Sequence, residues 1–364
     1  MLHDAFLLLV AVYCVFVLLI ALSLARPVVV RSRTQPSVSI VIAARNEEHT
    51  IGRCLSSLAL LEYPADLMEI IVVNDHSTDR TATVARESAP SSRRVIVIDA
   101  PPQTDHLKGK ANALAAGIAQ SSGEIILMTD ADCTVGPHWV TATVAHYGTG
   151  KTGIVAGFTM LRGKGVFAGI QALDWFALFS VAAGAVGLGV PLTAVGTNIS
   201  VRRTAYDLTG GYERLPFSVT EDYALFHAVT GDAGYSAAFP SVRDALVTSD
   251  PCGSWPDLIR QKIRWFRGGA GMAPWQIALF FLLYAFHVAV VLAALAGRWD
   301  LAAQGLAAKT AADLLLLLPT LVTFRRPGLL LYILPFELFF FLYVLLIPPV
   351  IATGLRVRWK ERSY

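Results

Sequence analysis

LMTDADCTV, residues 127–135, ends an apolar run with two acids. Ile125, Ile126, Leu127 and Met128 read as a buried strand, and Asp130 and Asp132 follow it at i, i+2. Either acid alone could cap a turn or a helix. Two in one turn repel each other unless something positive lies between them, and this pattern points to a divalent metal. Oxygen-only ligation suits Mg²⁺ or Mn²⁺; Mg²⁺ takes one or two carboxylates and completes its shell from substrate phosphates. The stretch predicts a strand whose carboxyl end carries a cation site.

Strands of the same form are expected at 38–45, 68–75 and 94–100, besides 124–130, with helical patterns between them at 47–60, 79–88 and 108–120. Strands alternating with helices predict an α/β fold: a parallel sheet with right-handed crossovers, buried on both faces. In such sheets ligands bind at the carboxyl ends of the strands. Glu47 and Asp75 lie at such ends, so one crevice collects carboxylates from segments far apart in sequence. Asp79, in STDRTA, reads as a cap, and 88–94 as a loop.

Hydrophobic residues make up 54% of the 364, and charged residues only 16%. That is too apolar for an ordinary soluble enzyme and indicates a membrane protein with a folded aqueous part. Residues 5–25 carry no charge and are long enough to cross a bilayer as a helix. A cleaved signal peptide would be shorter, with Lys or Arg ahead of it. Arg26, Arg31 and Arg33 follow the span, which places the next segment in the cytoplasm. Further spans are expected at about 276–297, 303–322 and 328–352, two or three of them crossing; the middle one, with Lys309 and Asp313, is the weakest. Residues 353–364 form a basic tail.

The stretch 165–191 is apolar enough to span, but Asp174 interrupts it and glycine is frequent. A crossing there would put the acids on either side of it, Asp132 and Asp222, on opposite sides of the membrane, so it reads as an interfacial or core helix. Cys14, Cys54, Cys133 and Cys252 show no paired or metal-binding spacing and fit a reducing compartment. His76, His106 and His227 lack ligand spacing, so no zinc is expected. The formal charge of +3 comes largely from arginines flanking the membrane segments, which suits anionic headgroups better than nucleic acid.

FSVTEDYALF offers adjacent Glu221 and Asp222, which diverge on a helix, so one of them should face a site; an acidic first helical turn is the plain alternative. In RQKIRWFRGG, Gln261, Arg264 and Trp265 at i, i+3 and i+4 share a helical face. Arg264 can fork two phosphate oxygens, and Trp265 offers a flat wall. Arg260, Lys262 and Arg267 would meet headgroups.

In order along the chain, AARNEE, VVNDHSTD, KGKANAL, TDAD, TED and QKIRW resemble the motifs of membrane-bound, inverting family 2 glycosyltransferases. The resemblance implies a GT-A domain over about residues 37–270. It implies that Asp75 contacts the uracil of the donor with Glu47 nearby, that Lys110 approaches the diphosphate, and that Asp132, helped by Asp130, holds the metal. Asp222 would be the general base, and Gln261, Arg264 and Trp265 would close over the donor and acceptor entrance. Asn74 and His76 stand where DDGS is commoner, which bears on the detail of the nucleoside pocket. GTNISVRR, 196–203, resembles an acceptor-side strand, where Asn198 either orients a hydroxyl or is satisfied within a turn.

The chemistry agrees. A departing nucleoside diphosphate gains charge that a metal with Lys or Arg neutralises, and one carboxylate suffices to take the acceptor proton in a one-step inversion. The expected partners are a nucleotide sugar, a UDP-hexose by resemblance, and a membrane lipid alcohol. RWKERSY resembles the tail of ceramide glucosyltransferase-like enzymes, and few polar residues occur in the four expected spans, so lipid glycosylation is favoured over a processive polysaccharide synthase. A non-catalytic scaffold would not be expected to keep Asp132, Asp222, Gln261, Arg264 and Trp265.

Overall fold

The computed structural model describes residues 2–26, 34–148, 150–268 and 273–352, with the backbone of 358–359 and 362–363. Arg31, Arg33 and most of the basic tail lie outside the described residues. The chain forms two compact units. One comprises the described residues of Val28–Arg162 and Thr193–Asp250, the other those of Met1–Pro27, Gly163–Leu192 and Pro251–Tyr364.

The first unit is α/β. Its strands are β1 (Val38–Ala44), β2 (Met68–Asn74), β3 (Arg94–Asp99), β4 (Ile125–Met128), β5 (Thr134–Val135), β6 (Thr152–Ala156), β7 (Thr159–Leu161), β8 (Ile199–Arg202), β9 (Ser236–Ala238) and β10 (Val247–Ser249). Seven of them form a sheet in the order β3-β2-β1-β4-β8-β6-β9, and β5-β10-β7 form a smaller one. β3, β2, β1 and β4 are parallel, as expected. Beyond β4 the sheet turns mixed, because β8 runs antiparallel to both β4 and β6. The sequence reading missed β6 and β9 and expected a parallel sheet only.

Helices α2 (Ile51–Ala59), α3 (Thr81–Glu87) and α4 (Lys110–Gln120) make the crossovers. Their apolar faces cover strands buried on both sides; Ile40, Ile70 and Ile126 have no exposed surface. α4 lies so close to the sheet that a Cβ at Gly117 would sit 2.5 Å from Val41 Cγ1. Only glycine permits that approach, and it sets the depth at which Lys110 begins the helix. α5 (Trp139–Val144), α7 (Arg203–Thr209), α8 (Gly211–Arg214) and α9 (Glu221–His227) complete the unit, with α6 in the other. The strand order reverses between β1 and β4, and in open α/β sheets that switch point opens a crevice at the carboxyl ends.

The second unit is helical: α1 (Leu2–Leu24), α6 (Val166–Gly187), α10 (Trp255–Gly268), α11 (Pro274–Leu295), α12 (Trp299–Thr323) and α13 (Ile333–Ala352). Among the described residues, five helices are long and apolar enough to cross a membrane: α1, α6, α11, α12 and, with the turn before it, α13. On α13, Leu334, Leu338, Leu342 and Leu346 are all exposed at i, i+4 spacing, an apolar face suited to hydrocarbon. α6 differs, with 67% of its apolar window buried against 17% for α11 and α13. It packs against α1, α12 and α13.

The charges that weakened α12 as a span are paired. Lys309 donates to Asp313 Oδ2 and to Glu337 Oε2, each at 2.6 Å, and the Tyr13 hydroxyl donates to Asp313 Oδ1 at 2.6 Å. In a medium without water such groups persist only when paired, and this network joins α1, α12 and α13.

Candidate active site

The turns after β1 and β2 are knitted together. Asn46 and His76 both take left-handed backbone, φ 53° and 55°. Asn46 Oδ1 accepts from the Thr78 amide, and the Glu47 amide donates to Thr81 Oγ1 at 2.7 Å. Glu47 Oε2 accepts from Thr50 Oγ1 at 2.5 Å. Asp79 accepts from the Thr81 amide and hydroxyl and from the Glu48 amide. Slight burial alone would raise its pKa, but those donors hold it below the usual carboxylate range. The expected helix cap is not what Asp79 provides: Arg80 holds the N-cap position of α3 without a side-chain cap bond, and Asp79 instead ties the turn after β2 to the turn after β1 through the Thr81 and Glu48 amides.

Asp75 is buried at the end of β2, its carboxylate 3.3 Å from His76 Nδ1. The departure from an acid at position 74 has a local explanation. Asn74 Nδ2 donates to Asp99 Oδ1 at 2.7 Å, and its Oδ1 accepts from the Ser77 amide, so one amide serves an acceptor and a donor that a carboxylate could not serve together.

The charged centre is built around Lys110 at the start of α4. Its Nζ lies 2.5 Å from Asp130 Oδ1 and 3.2 Å from Glu221 Oε1. Asp222, next in sequence, accepts from the Gly196 amide on Oδ2 at 2.5 Å and from the Tyr223 amide on Oδ1 at 2.8 Å. A Cβ at Gly196 would come within 3.2 Å of Lys110 Nζ and 3.3 Å of the Asp222 side chain, so glycine keeps this centre open. Burial and the charge of Glu221 push Asp222 up to about 6, against the opposing pull of Lys110 and the two amides. Burial alone would lower the Lys110 pKa; Asp130, Glu221 and Asp222 hold it above its ordinary range.

Asp132 Oδ2 accepts from Ser249 Oγ at 3.3 Å, and its Oδ1 lies 3.4 Å from Cys133 Sγ. Among the described residues no group of three His, Cys, Asp or Glu could hold a metal ion. A cation here would have Asp130 and Asp132 as its protein carboxylates and would take other oxygens from phosphate and water, the habit of Mg²⁺. The donor set is all hard oxygen, and Asp130 already receives the Lys110 ammonium. The residues therefore fit a divalent ion.

Glu47, Asp75, Lys110, Asp130, Asp132 and Asp222 all belong to the α/β unit, whereas Gln261, Arg264 and Trp265 lie on α10 of the helical unit. Trp265 packs on Trp175, ring centroids 5.6 Å apart. Lys262, expected among headgroups, is instead buried: it pairs with Asp174 of α6 and lies over the Trp265 ring at 4.3 Å. A buried ammonium needs a paired counter-ion, and Asp174 supplies it. Asn198 is a structural residue. Its Nδ2 donates to the carbonyls of Phe158 and Ala245, and its Oδ1 accepts from Trp139 Nε1, which leaves no donor for an acceptor hydroxyl.

The sequence reading named Glu221 only as the rival of Asp222, and it missed Gly196, Arg53, Arg162 and Asp250. A polar residue directly after β7 and after β10 is the signal that could have found Arg162 and Asp250.

Residues 39–209 match the family model described as Glycosyl transferase family 2, and residues 125–354, more than half the chain, match Glycosyl transferase family group 2. The chain is 31% identical over 265 residues to the Probable glycosyltransferase YdaM of Bacillus subtilis, covering 68% of this chain and 59% of that one. It is 29% identical to Beta-monoglucosyldiacylglycerol synthase of Nostoc, over 64% of this chain and 49% of the relative. With Poly-beta-1,6-N-acetyl-D-glucosamine synthase of Staphylococcus epidermidis the identity is 28%, over 64% and 54%. The chain thus spans 49–59% of the length of these relatives. The mannosyltransferase PcManGT of Pyrobaculum calidifontis, solved with GDP-Man and Mn²⁺, shares the fold at a TM-score of 0.61 and 21% identity, over 93% of this chain and 99% of that one. The chain belongs to the family 2 glycosyltransferases and has a GT-A fold.

Proposed function

We propose that the protein moves a hexose, with inversion, from a nucleotide sugar to the hydroxyl of a membrane lipid. The observation that carries this reading is the charged centre: a lysine between Asp130 and Glu221, with a carboxylate of raised pKa beside it. Asp222 takes the proton of the attacking hydroxyl; a base with pKa about 6 is ionised at neutral pH yet basic enough to accept a proton. Lys110 neutralises charge on the departing diphosphate and is drawn from Asp130 toward it. Asp130 and Asp132 hold the divalent ion, Mg²⁺ or Mn²⁺, which as a Lewis acid supplies further neutralisation of the phosphates. Asp75 and Glu47 line the nucleoside side, with uridine as the proposed base. Gln261, Arg264 and Trp265 are assigned to the handling of donor and acceptor by the resemblance of their motif.

The lipid acceptor is supported by relatives named Beta-monoglucosyldiacylglycerol synthase and by the exposed apolar faces of the helical unit. The α/β unit is proposed to face the cytoplasm because Arg26, Arg31 and Arg33 follow the first span. A processive polysaccharide synthase is the second reading, favoured by the Poly-beta-1,6-N-acetyl-D-glucosamine synthase relatives.

The test is transfer by purified protein in detergent with labelled UDP-hexoses, Mn²⁺ and membrane lipid extract. A discrete lipid with one sugar, absent with Asp222→Asn, supports the proposal. A ladder of products replaces it with the synthase. Metal-independent nucleotide binding without turnover would indicate a non-catalytic scaffold.

A further inference from the structure

We propose that Arg53, Arg162 and Asp250 form a clamp that positions Asp132 at the metal site. The proposal rests on the reading of Asp132 as a metal ligand.

Asp132 lies in a turn beyond β4, outside the strand pairing that ends at Met128. Its backbone carbonyl nevertheless accepts from two guanidinium groups, Arg53 Nη2 and Arg162 Nη2, each at 3.1 Å. A carbonyl has two lone pairs, and here both are engaged. The same two arginines share one carboxylate: Arg53 Nη2 lies 2.5 Å from Asp250 Oδ2, and Arg162 Nε 2.7 Å from Asp250 Oδ1. Partial burial alone would raise the Asp250 pKa, but hydrogen bonds and charge from both arginines hold it below the usual carboxylate range. Arg162 Nη1 also donates to Thr134 Oγ1 at 3.1 Å, which fixes its plane against β5.

The three residues come from α2, from the position after β7 and from the position after β10. The neighbour of Asp250, Ser249, reaches the Asp132 carboxylate, so the end of β10 holds both the peptide and the side chain of Asp132. Side-chain exposures of 42% for Arg53, 30% for Arg162 and 39% for Asp250 leave these pairs well solvated. Solvated pairs contribute little to stability. Two guanidinium groups converging on one backbone oxygen, with one carboxylate holding both, are better explained by what that oxygen fixes: the direction of the Asp132 carboxylate. With both lone pairs taken, the carbonyl is also withheld from the metal.

The test measures Mn²⁺ binding to the full-length protein with UDP and no acceptor, by the electron paramagnetic resonance signal of free Mn²⁺. Asp250→Asn is expected to weaken binding by roughly 10–100-fold, as for other residues that support a metal ligand, with little change in melting temperature. Asp250→Glu should restore part of the loss. Should Asp250→Asn fold poorly, Arg53→Lys keeps the charge without the planar fork and should weaken binding in the same direction. Unchanged Mn²⁺ binding in these variants, or a loss of stability without a loss of binding, overturns the clamp. Asp132→Asn separates the two readings. If it leaves binding intact, the metal assignment fails and the clamp with it. If it abolishes binding while the clamp variants do not, the clamp alone is wrong.

Discussion

Lys110 Nζ and Asp130 Oδ1 are in contact at 2.5 Å, so the ammonium stands against a carboxylate assigned to the metal. Two cations then compete for one acid. Lys110→Met should strengthen Mn²⁺ binding in the absence of nucleotide, while lowering kcat/KM for transfer about 10²–10³-fold by removing a donor to the diphosphate. Lys110→Arg should keep part of the activity. Mn²⁺ titration and initial rates measure the two arms, and weaker metal binding in Lys110→Met would reject the competition.

The pH profile follows from Asp222. Its pKa is raised to about 6, and the ionised form is the one that accepts the proton, so the rate should rise with pH through about 6 and level off above it. Asp222→Asn should cut the rate about 10²–10⁴-fold. Glu221→Gln removes the neighbouring charge that raises Asp222 and should move the acid limb to lower pH. A limb that stays in place would mean that another group titrates.

Lys262 and Asp174 are paired and almost wholly buried. Lys262→Met leaves a lone buried carboxylate and should cost about 3–5 kcal/mol. Adding Asp174→Leu should recover most of that stability, because a buried ion pair exchanged for apolar residues of similar size is often near neutral. Thermal unfolding in detergent follows both, and a double variant no better than the single one would show that the pair does not act as a unit.

Asn198→Ala strands the Trp139 indole N–H and the carbonyls of Phe158 and Ala245, at a cost on the order of 2–4 kcal/mol. Denaturant unfolding should show the loss, and the folded fraction should keep its KM for acceptor. A raised acceptor KM with unchanged stability would instead give Asn198 a place in binding.

The strand-end acids were legible because a buried strand must be apolar along its length, so Asp75 and Asp130 stand out where the run stops. β6 and β9 did not stand out: Thr152–Ala156 and Ser236–Ala238 are short and contain small or polar residues, and their pairing is set by neighbours. Lys262 misled because a basic residue on an amphipathic helix usually faces water, and its counter-ion lies 88 residues away.

The sequence by itself determined the alternating α/β order, the long apolar helices and the acids at the ends of β1, β2 and β4, because periodicity and apolar length are local properties of a chain. Tertiary structure decided which charges meet. Arg53 and Asp250 are 197 residues apart, and Lys110 finds Glu221 across the fold. Such pairs depend on where the buried strands place the end of each segment, and no local pattern records that meeting.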